Sequence, residues 1–296
     1  MRLPFLPLAA AAALCLTAGC RTAAAPRADE ALAPFNPEPS EKHCVLALGN
    51  NTFTLHPDRQ YALFNATPVQ LPAPAACGPE KCYRVAPEHL KNIIEPLLTG
   101  NIAPRRISRI LVDPGHGGRD KGAPGKTSLE KELNFLLAKE ICNALEKKGF
   151  RTVMTRDGDV FIPLRDRVKL VERYKADLFI SVHHNASKIN PGASGIECFA
   201  HLTPRPEDTL LAAFVQRALI RGTNCHDRGI KFANLAVLRG NPVPAVLIEA
   251  GFISNPADEK FLNSEAWRQT AARAVAEGVA LFARYARYAG DRPPLR

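Results

Sequence analysis

The chain has 296 residues, 46% hydrophobic and 23% charged, with 39 Lys plus Arg against 29 Asp plus Glu and a formal net charge of +10. That length allows one large domain or two unequal ones, and the composition excludes a largely disordered chain. Beyond the N-terminus no apolar run reaches the roughly 18–20 residues of a spanning helix, which excludes a polytopic membrane protein. The basic excess points to an acidic partner, and composition alone leaves open whether that is nucleic acid, a membrane surface or an acidic polymer.

Met1-Arg2 supplies a positive charge, Leu3 to Leu16 is apolar and rich in Ala and Leu, and Thr17-Ala18-Gly19-Cys20 closes the stretch with small residues before a cysteine. A charged start, an apolar core too short to span stably and a small-residue cleavage site make residues 1–19 a secretory signal. Thr-Ala-Gly-Cys resembles a bacterial lipobox, which implies that Cys20 becomes the lipidated first residue of the mature chain; ordinary cleavage to a soluble protein is the alternative. Residues 20–42 then form a linker rich in Ala, Pro and Glu, without apolar periodicity. The expectation is an exported protein of the cell envelope, periplasmic and lipid-anchored to a membrane. In that setting nucleic acid is not the partner.

Export permits disulfides. Cys77 and Cys82 flank the turn-forming Gly78-Pro79-Glu80-Lys81, so that pair could close a hairpin, and Cys198 and Cys225 could also pair. Cys142 falls on the apolar side of a predicted helix and reads as a small buried hydrophobe. The absence of any Cys-x-x-Cys removes the strongest cysteine signals for a zinc ribbon or a redox site.

Residues 43–100 place apolar side chains two apart in short runs (Leu46 and Leu48, Phe53 and Leu55, Tyr61 and Leu63, Val69 and Leu71), with one helix predicted from Pro87 to Leu98. This predicts a small β-rich domain, which faintly resembles the stalk-like modules, akin to the N-terminal domain of copper amine oxidases, of some exported cell-wall enzymes. Residues 107–290 instead alternate strands and helices. Strands are predicted at 107–112, 150–155, 177–182, 195–199 and 244–248, with helices at 129–148, 164–174, 210–219 and within 264–288. Repeated β-α units imply a three-layer α/β domain with a mostly parallel central sheet and flanking helices, whose sites form at the carboxyl ends of the strands.

Four positions satisfy that rule. His116 lies in Asp113-Pro114-Gly115-His116-Gly117-Gly118 after the first strand, where glycines let the backbone turn and leave the imidazole uncrowded. The loop fits neither the Walker pattern nor the full dinucleotide fingerprint, so metal ligation stands beside an incidental His in a turn. Glu130 opens the next helix, and Thr127-Ser128-Leu129-Glu130 also reads as a capping box with Glu130 bonding back to the cap. His183 and His184 end a strand and precede Asn185; alternation sends the two imidazoles to opposite faces, and position alone does not choose between them. Glu249 ends the apolar run Ala245 to Ile248, where a carboxylate is costly unless paired, ligated or solvated in a cleft. Two imidazoles and a carboxylate suit zinc with an open position for water, and a separate buried Glu suits a general base.

Leu111 to Gly118, Glu130-Lys131, Ser181-Val182-His183-His184-Asn185-Ala186, Asp227-Arg228-Gly229 and Ala245 to Asn255, in that order, resemble the zinc-dependent N-acetylmuramoyl-L-alanine amidases of the amidase-3 type, over about Ile107 to Ala286. The resemblance implies zinc held by His116, Glu130 and His183, with Glu249 as the catalytic carboxylate and His184 outside the ligand set. It implies peptidoglycan as substrate, cut between the lactyl group of N-acetylmuramic acid and L-alanine, by a protein expected to be a monomer. Arg228 and Arg239, expected in loops near the cleft, and Asn185 are candidate contacts to the stem peptide. Some family members plug the site with a long insertion; here only Ser187 to Ser194 separates the third and fourth strands of the region, which predicts no such plug. A zinc peptidase acting within the stem peptide and a non-catalytic wall-binding lipoprotein are the alternatives.

Overall fold

The computed structural model describes residues 38–39, 43–57, 59–77 and 83–287. The signal, Cys20 and most of the linker lie outside the described residues, as does Cys82. The Cys77–Cys82 pairing is therefore outside them too.

The first strands are short: β1 (Glu38–Pro39), β2 (Cys44–Leu48), β3 (Asn51–Leu55), β4 (Ala62–Phe64), β5 (Thr67–Val69), β6 (Ala76–Cys77) and β7 (Tyr83–Arg84). Alternation of buried and open side chains along β2 and β3 lays Cys44, Leu46, Phe53 and Leu55 on one face, as the two-residue spacing predicts. A helical segment follows through Pro87–His89, Leu90–Ile94 and Glu95–Thr99, its middle piece wound as π-helix. The larger region holds β8 (Arg109–Pro114), α1 (Glu130–Lys147), β9 (Arg151–Met154), α2 (Leu164–Arg173), β10 (Leu178–Asn185), β11 (Ile196–His201), α3 (Pro206–Thr223), β12 (Asp227–Ala233), β13 (Ala245–Phe252), α4 (Pro256–Leu262) and α5 (Glu265–Arg287).

Eleven strands form one sheet in the order β1-β2-β3-β4-β5-β12-β11-β13-β10-β8-β9. Within the larger region every neighbouring pair is parallel except β11 with β13, so the sheet is mixed but mostly parallel there. One face is covered by α1, α3 and α5, which bury Leu137, Ile141, Leu210, Val215, Val279 and Phe282 against Val112, Ile180, Val246 and Ile248. On the other face Val171 of α2, with Val237 and Leu238 of the turn after β12, covers Leu111, Phe179 and Leu247. Beyond those three residues along the strands, that second face carries Asp113, Ser181, His183 and Glu249, because side chains repeat every second residue.

The β-rich region is joined edge to edge with the larger one. Val69 of β5 pairs in parallel with Ile230 of β12, and the Gln70 amide donates to the Ile230 carbonyl at 2.8 Å. Thr209 Oγ1 of α3 donates to the Asn92 carbonyl at 2.8 Å, and one apolar core runs through both regions, from Leu46 and Phe53 to Val275 and Phe282. Cys142, Cys198 and Cys225 are all free thiols. Cys142 is buried, as the helical pattern predicts; Cys198 and Cys225 do not pair.

Candidate metal centre

The centre begins with Asp113, buried at the end of β8. Its Oδ1 accepts from Arg167 Nη1 at 2.7 Å and Thr155 Oγ1 at 2.6 Å, and its Oδ2 accepts from Ser181 Oγ at 2.9 Å. Arg167, itself buried, donates onward to the carbonyls of Pro114 at 2.9 Å and His116 at 2.6 Å. Arg156 donates to the carbonyls of Pro114, Gly115 and Lys131 at 3.0, 3.1 and 2.8 Å. Three successive carbonyls of the loop are thus held by two guanidiniums, and this holds His116 at φ +61°, a left-handed conformation that costs a non-glycine residue roughly 1–3 kcal/mol. Gly115 is required by space: a Cβ there would lie 2.1 Å from His183 Nε2.

The three ligand candidates meet at this loop. His116 Nε2 is 3.1 Å and His183 Nδ1 2.9 Å from the same Glu130 oxygen, and the ligand atoms of the three lie within 4.8 Å of one another. The His116 Nδ1 lies 2.8 Å from Asp120 Oδ2, which orients the ring so that Nε2 faces the cluster. Burial by itself would raise the Glu130 pKa, but the hydrogen bonds from His116 and His183 outweigh it and hold the carboxyl well below its ordinary range. Burial likewise opposes the charge on His116, and its bonds to Glu130 and Asp120 raise its pKa nonetheless. Two imidazoles sharing one ionised oxygen, with a carboxylate behind one ring, are a donor set that fits a divalent cation with nitrogen and oxygen preference.

Glu130 does not cap its helix. It is the first helical residue, and the bond back to the Leu129 amide comes from Glu132 instead, at 3.5 Å. The amides of Thr127 and Ser128 are taken by Glu259 of α4, at 2.7 and 3.0 Å, so the capping-box reading fails and Glu130 is left for the histidines.

His184 points to the opposite face from His183 and is 1% exposed. Its Nδ1 lies 2.7 Å from Asn134 Oδ1 on α1, and burial lowers its pKa to about 3, which keeps it neutral. Asn134 in turn donates to the Gly115 carbonyl at 3.2 Å, so His184 supports the loop from behind.

Glu249 stands beside His183 across the parallel β10–β13 pair and opposite Glu197 across the antiparallel β11–β13 pair. Its Oε2 is buried without a hydrogen-bond partner among the described residues. Burial, then the charges of Glu130 and Glu197, push its pKa well above the ordinary range, against a smaller opposing pull from Lys231.

Glu197 was not among the sequence candidates. It accepts from Asn185 Nδ2 at 2.8 Å, Arg228 Nε at 2.6 Å and Lys231 Nζ at 2.6 Å, so the cleft gains two residues, Glu197 and Lys231, beside the expected Asn185 and Arg228. A signal for it existed: an acidic residue inside the apolar run Ile196 to Phe199 poses the same burial problem as Glu249. Arg228 lies on β12 and not in a loop, because pairing with β11 on one side and β5 on the other draws Asp227–Ala233 into the sheet. Its guanidinium sits 4.8 Å over the Phe252 ring. Arg239 is exposed on the turn after β12, as expected of a loop residue; among the described residues no side chain pairs with it.

Residues 110–280 match the family described as N-acetylmuramoyl-L-alanine amidase, amidase-3 type. The chain belongs to that family. It is 32% identical to the N-acetylmuramoyl-L-alanine amidase AmiA of Escherichia coli K12, taking in 57% of this chain and 74% of that protein. The alignment extends over 216 positions, so that amidase carries additional residues inside the matched region. A probable cell wall amidase LytH of Staphylococcus epidermidis is 38% identical over 60% of this chain and 58% of its own length. Among solved structures, an N-acetylmuramoyl-L-alanine amidase of Clostridium difficile 630 is 37% identical with a TM-score of 0.57, covering 59% of this chain and 96% of that one. The amidase-3 match falls on the larger region and contains all three clustered residues and Glu249; residues 43–100 lie outside it. Among the described residues no helix is long and apolar enough to cross a membrane.

Proposed function

We propose that this amidase-family chain hydrolyses peptidoglycan at the amide between the lactyl group of N-acetylmuramic acid and L-alanine of the stem peptide, with zinc held by His116, Glu130 and His183 and Glu249 as general base. The observation that carries this reading is the convergence of three metal-ligand side chains one strand away from Glu249, whose buried Oε2 has no partner among the described residues. When bound, zinc supplies Lewis acidity toward the carbonyl oxygen and makes water a usable nucleophile near neutral pH. Glu249 takes the proton of the attacking water and returns it to the departing L-alanine nitrogen, a role that suits a carboxylate whose pKa burial raises above its ordinary range. Asp120 and the Arg156–Arg167 pair keep the His116 ring in place while this happens. Arg228 and Asn185, both bonded to Glu197, are suited to the stem peptide's carboxylates and amides, and exposed Arg239 is a further candidate. The same proposal includes export by residues 1–19, a lipid on Cys20, the linker 20–42, a domain boundary between 100 and 107, a Cys77–Cys82 disulfide and a monomeric state. Mass spectrometry of the mature N-terminus tests the lipid.

Glu249→Ala is expected to abolish release of stem peptides from purified wall while zinc content stays near one per chain. A chelator is expected to silence the wild type and added zinc to restore it. Products cut within the stem peptide, or activity retained by the Ala variant, would overturn the assignment.

A further inference from the structure

We propose that Glu197 is a positioning residue that holds Lys231 and Arg228 away from Glu249 and thereby keeps the base unpaired; this rests on the role given to Glu249 above. The register sets the problem. Glu197 and Glu249 are directly opposed across an antiparallel pair, where Cβ atoms sit about 4.5–5.5 Å apart on one face and like charges repel. β12 follows β11 in parallel, with Phe199 opposite Lys231, so an ammonium and a guanidinium arrive within two strands of Glu249.

In a buried setting an ammonium, a guanidinium and a carboxylate at that range form charge-assisted hydrogen bonds readily. Among the described residues every carboxylate bond of the two cations goes to Glu197, and Arg228 Nη1 also donates to the Ser194 carbonyl at 3.5 Å. Its Oε2 accepts from both cations at 2.6 Å, its Oε1 accepts from Asn185, and it is 3% exposed. Aromatic rings seat both cations further: Arg228 over Phe252 at 4.8 Å and Lys231 over Phe199 at 5.9 Å. Glu249 Oε2, by contrast, stays without a partner among the described residues. Two carboxylates and two cations leave the group neutral, so the positive charge balances Glu249 without touching it. Without the Glu197 charge, the flexible Lys231 stem has one acidic neighbour left on β13, and pairing there would occupy the lone pair that has to receive the proton.

The test is Glu197→Gln, which keeps shape and the capacity to accept from Asn185 while losing the charge. The expected result is a fall in kcat of about tenfold or more, short of the roughly 10²–10⁴-fold of losing a general base outright, with zinc content unchanged. Adding Lys231→Met to that variant is expected to recover kcat roughly fivefold, a coupling that two independent structural losses would not produce. Kcat within about twofold of wild type in the Gln variant, or a double variant no faster than the single one, would overturn the proposal. Should the single variant fail to fold, the double variant removes the buried pair together and is read against Glu249→Gln: activity clearly above that level supports the role, and activity equal to it refutes it. An active Glu249→Gln enzyme would instead sink the reading of Glu249 as the base, a result separate from either outcome at Glu197.

Discussion

Glu249 is an acid kept where ionisation is expensive. Its pKa is raised, so the folded chain binds its proton more tightly than the unfolded chain does. The stability this gives is fully present below the unfolded carboxyl value near 4 and is lost as pH rises through the folded value. In metal-free protein, Glu249→Gln removes the penalty. Its melting temperature is expected to exceed that of wild type at pH 8, with the gap closing toward pH 4, as scanning calorimetry would show. The opposite slope would mean that the carboxylate is stabilised when charged. Part of this scale was legible beforehand: the pattern places His116 after β8 and Glu130 at the start of α1, whereas β10 and β13 run on past His183 and Glu249 to Asn185 and Phe252. What misled was local chemistry. Thr127-Ser128 before Glu130 looks like a cap, but Glu259, 131 residues on from Ser128, satisfies those amides, and no short window of sequence contains that contact. Asp113 and Arg167 are equally silent in sequence, because a buried ion pair between a strand end and a helix shows only once both are placed.

Among the elements, β11 and β12 decide what lies beside the base. Sites in parallel sheets are sought at strand carboxyl ends, and that rule finds β8, β10 and β13. β11 is antiparallel to β13, so it is the beginnings of β11 and β12 that arrive at the cleft, bringing Glu197 and Arg228. Strand direction is not written in hydrophobic periodicity, which explains why Glu197 escaped and why Arg228, a candidate from the start, was expected in a loop. β12 itself is polar at its start and becomes a strand through neighbours on both sides. One of those neighbours presses on Gly229, at φ +78°, where an added Cβ would lie 2.0 Å from the Pro68 carbonyl oxygen. Gly229→Ala is expected to cost more than the roughly 1–3 kcal/mol of backbone strain alone. Gly149 is the control: its φ is +89° with nothing within 4 Å of an added Cβ, so Gly149→Ala carries strain without collision. Equal midpoints for the two variants in urea unfolding would show that the β5–β12 junction yields freely.

For the molecule as a whole, residues 43–100 and the amidase region share a core and a sheet. The change from two-residue to helical spacing near residue 100 is a change of local pattern. It says nothing about whether the two regions touch, since attachment is settled by Val69 against Ile230 and Asn92 against Thr209, pairs more than 100 residues apart. The net charge of +10 belongs to this scale as well. If it serves attraction to a carboxylate-bearing wall, cosedimentation with purified peptidoglycan should weaken between 0.1 and 1 M salt, as the screening length falls from about 10 to about 3 Å. Salt-independent binding would assign adhesion to specific contacts instead.

The connection from β10 to β11 is short, residues 186–195, and the His116 and His183 side chains keep 24% and 17% of their surface open to solvent. For an amidase this has a cost in safety. On the function proposed above, a wall hydrolase with only residues 186–195 between β10 and β11 would be armed from the moment it folds and takes up metal. Restraint would then fall to logistics: how much of it is made, where it is placed, and which stretches of wall come within its reach.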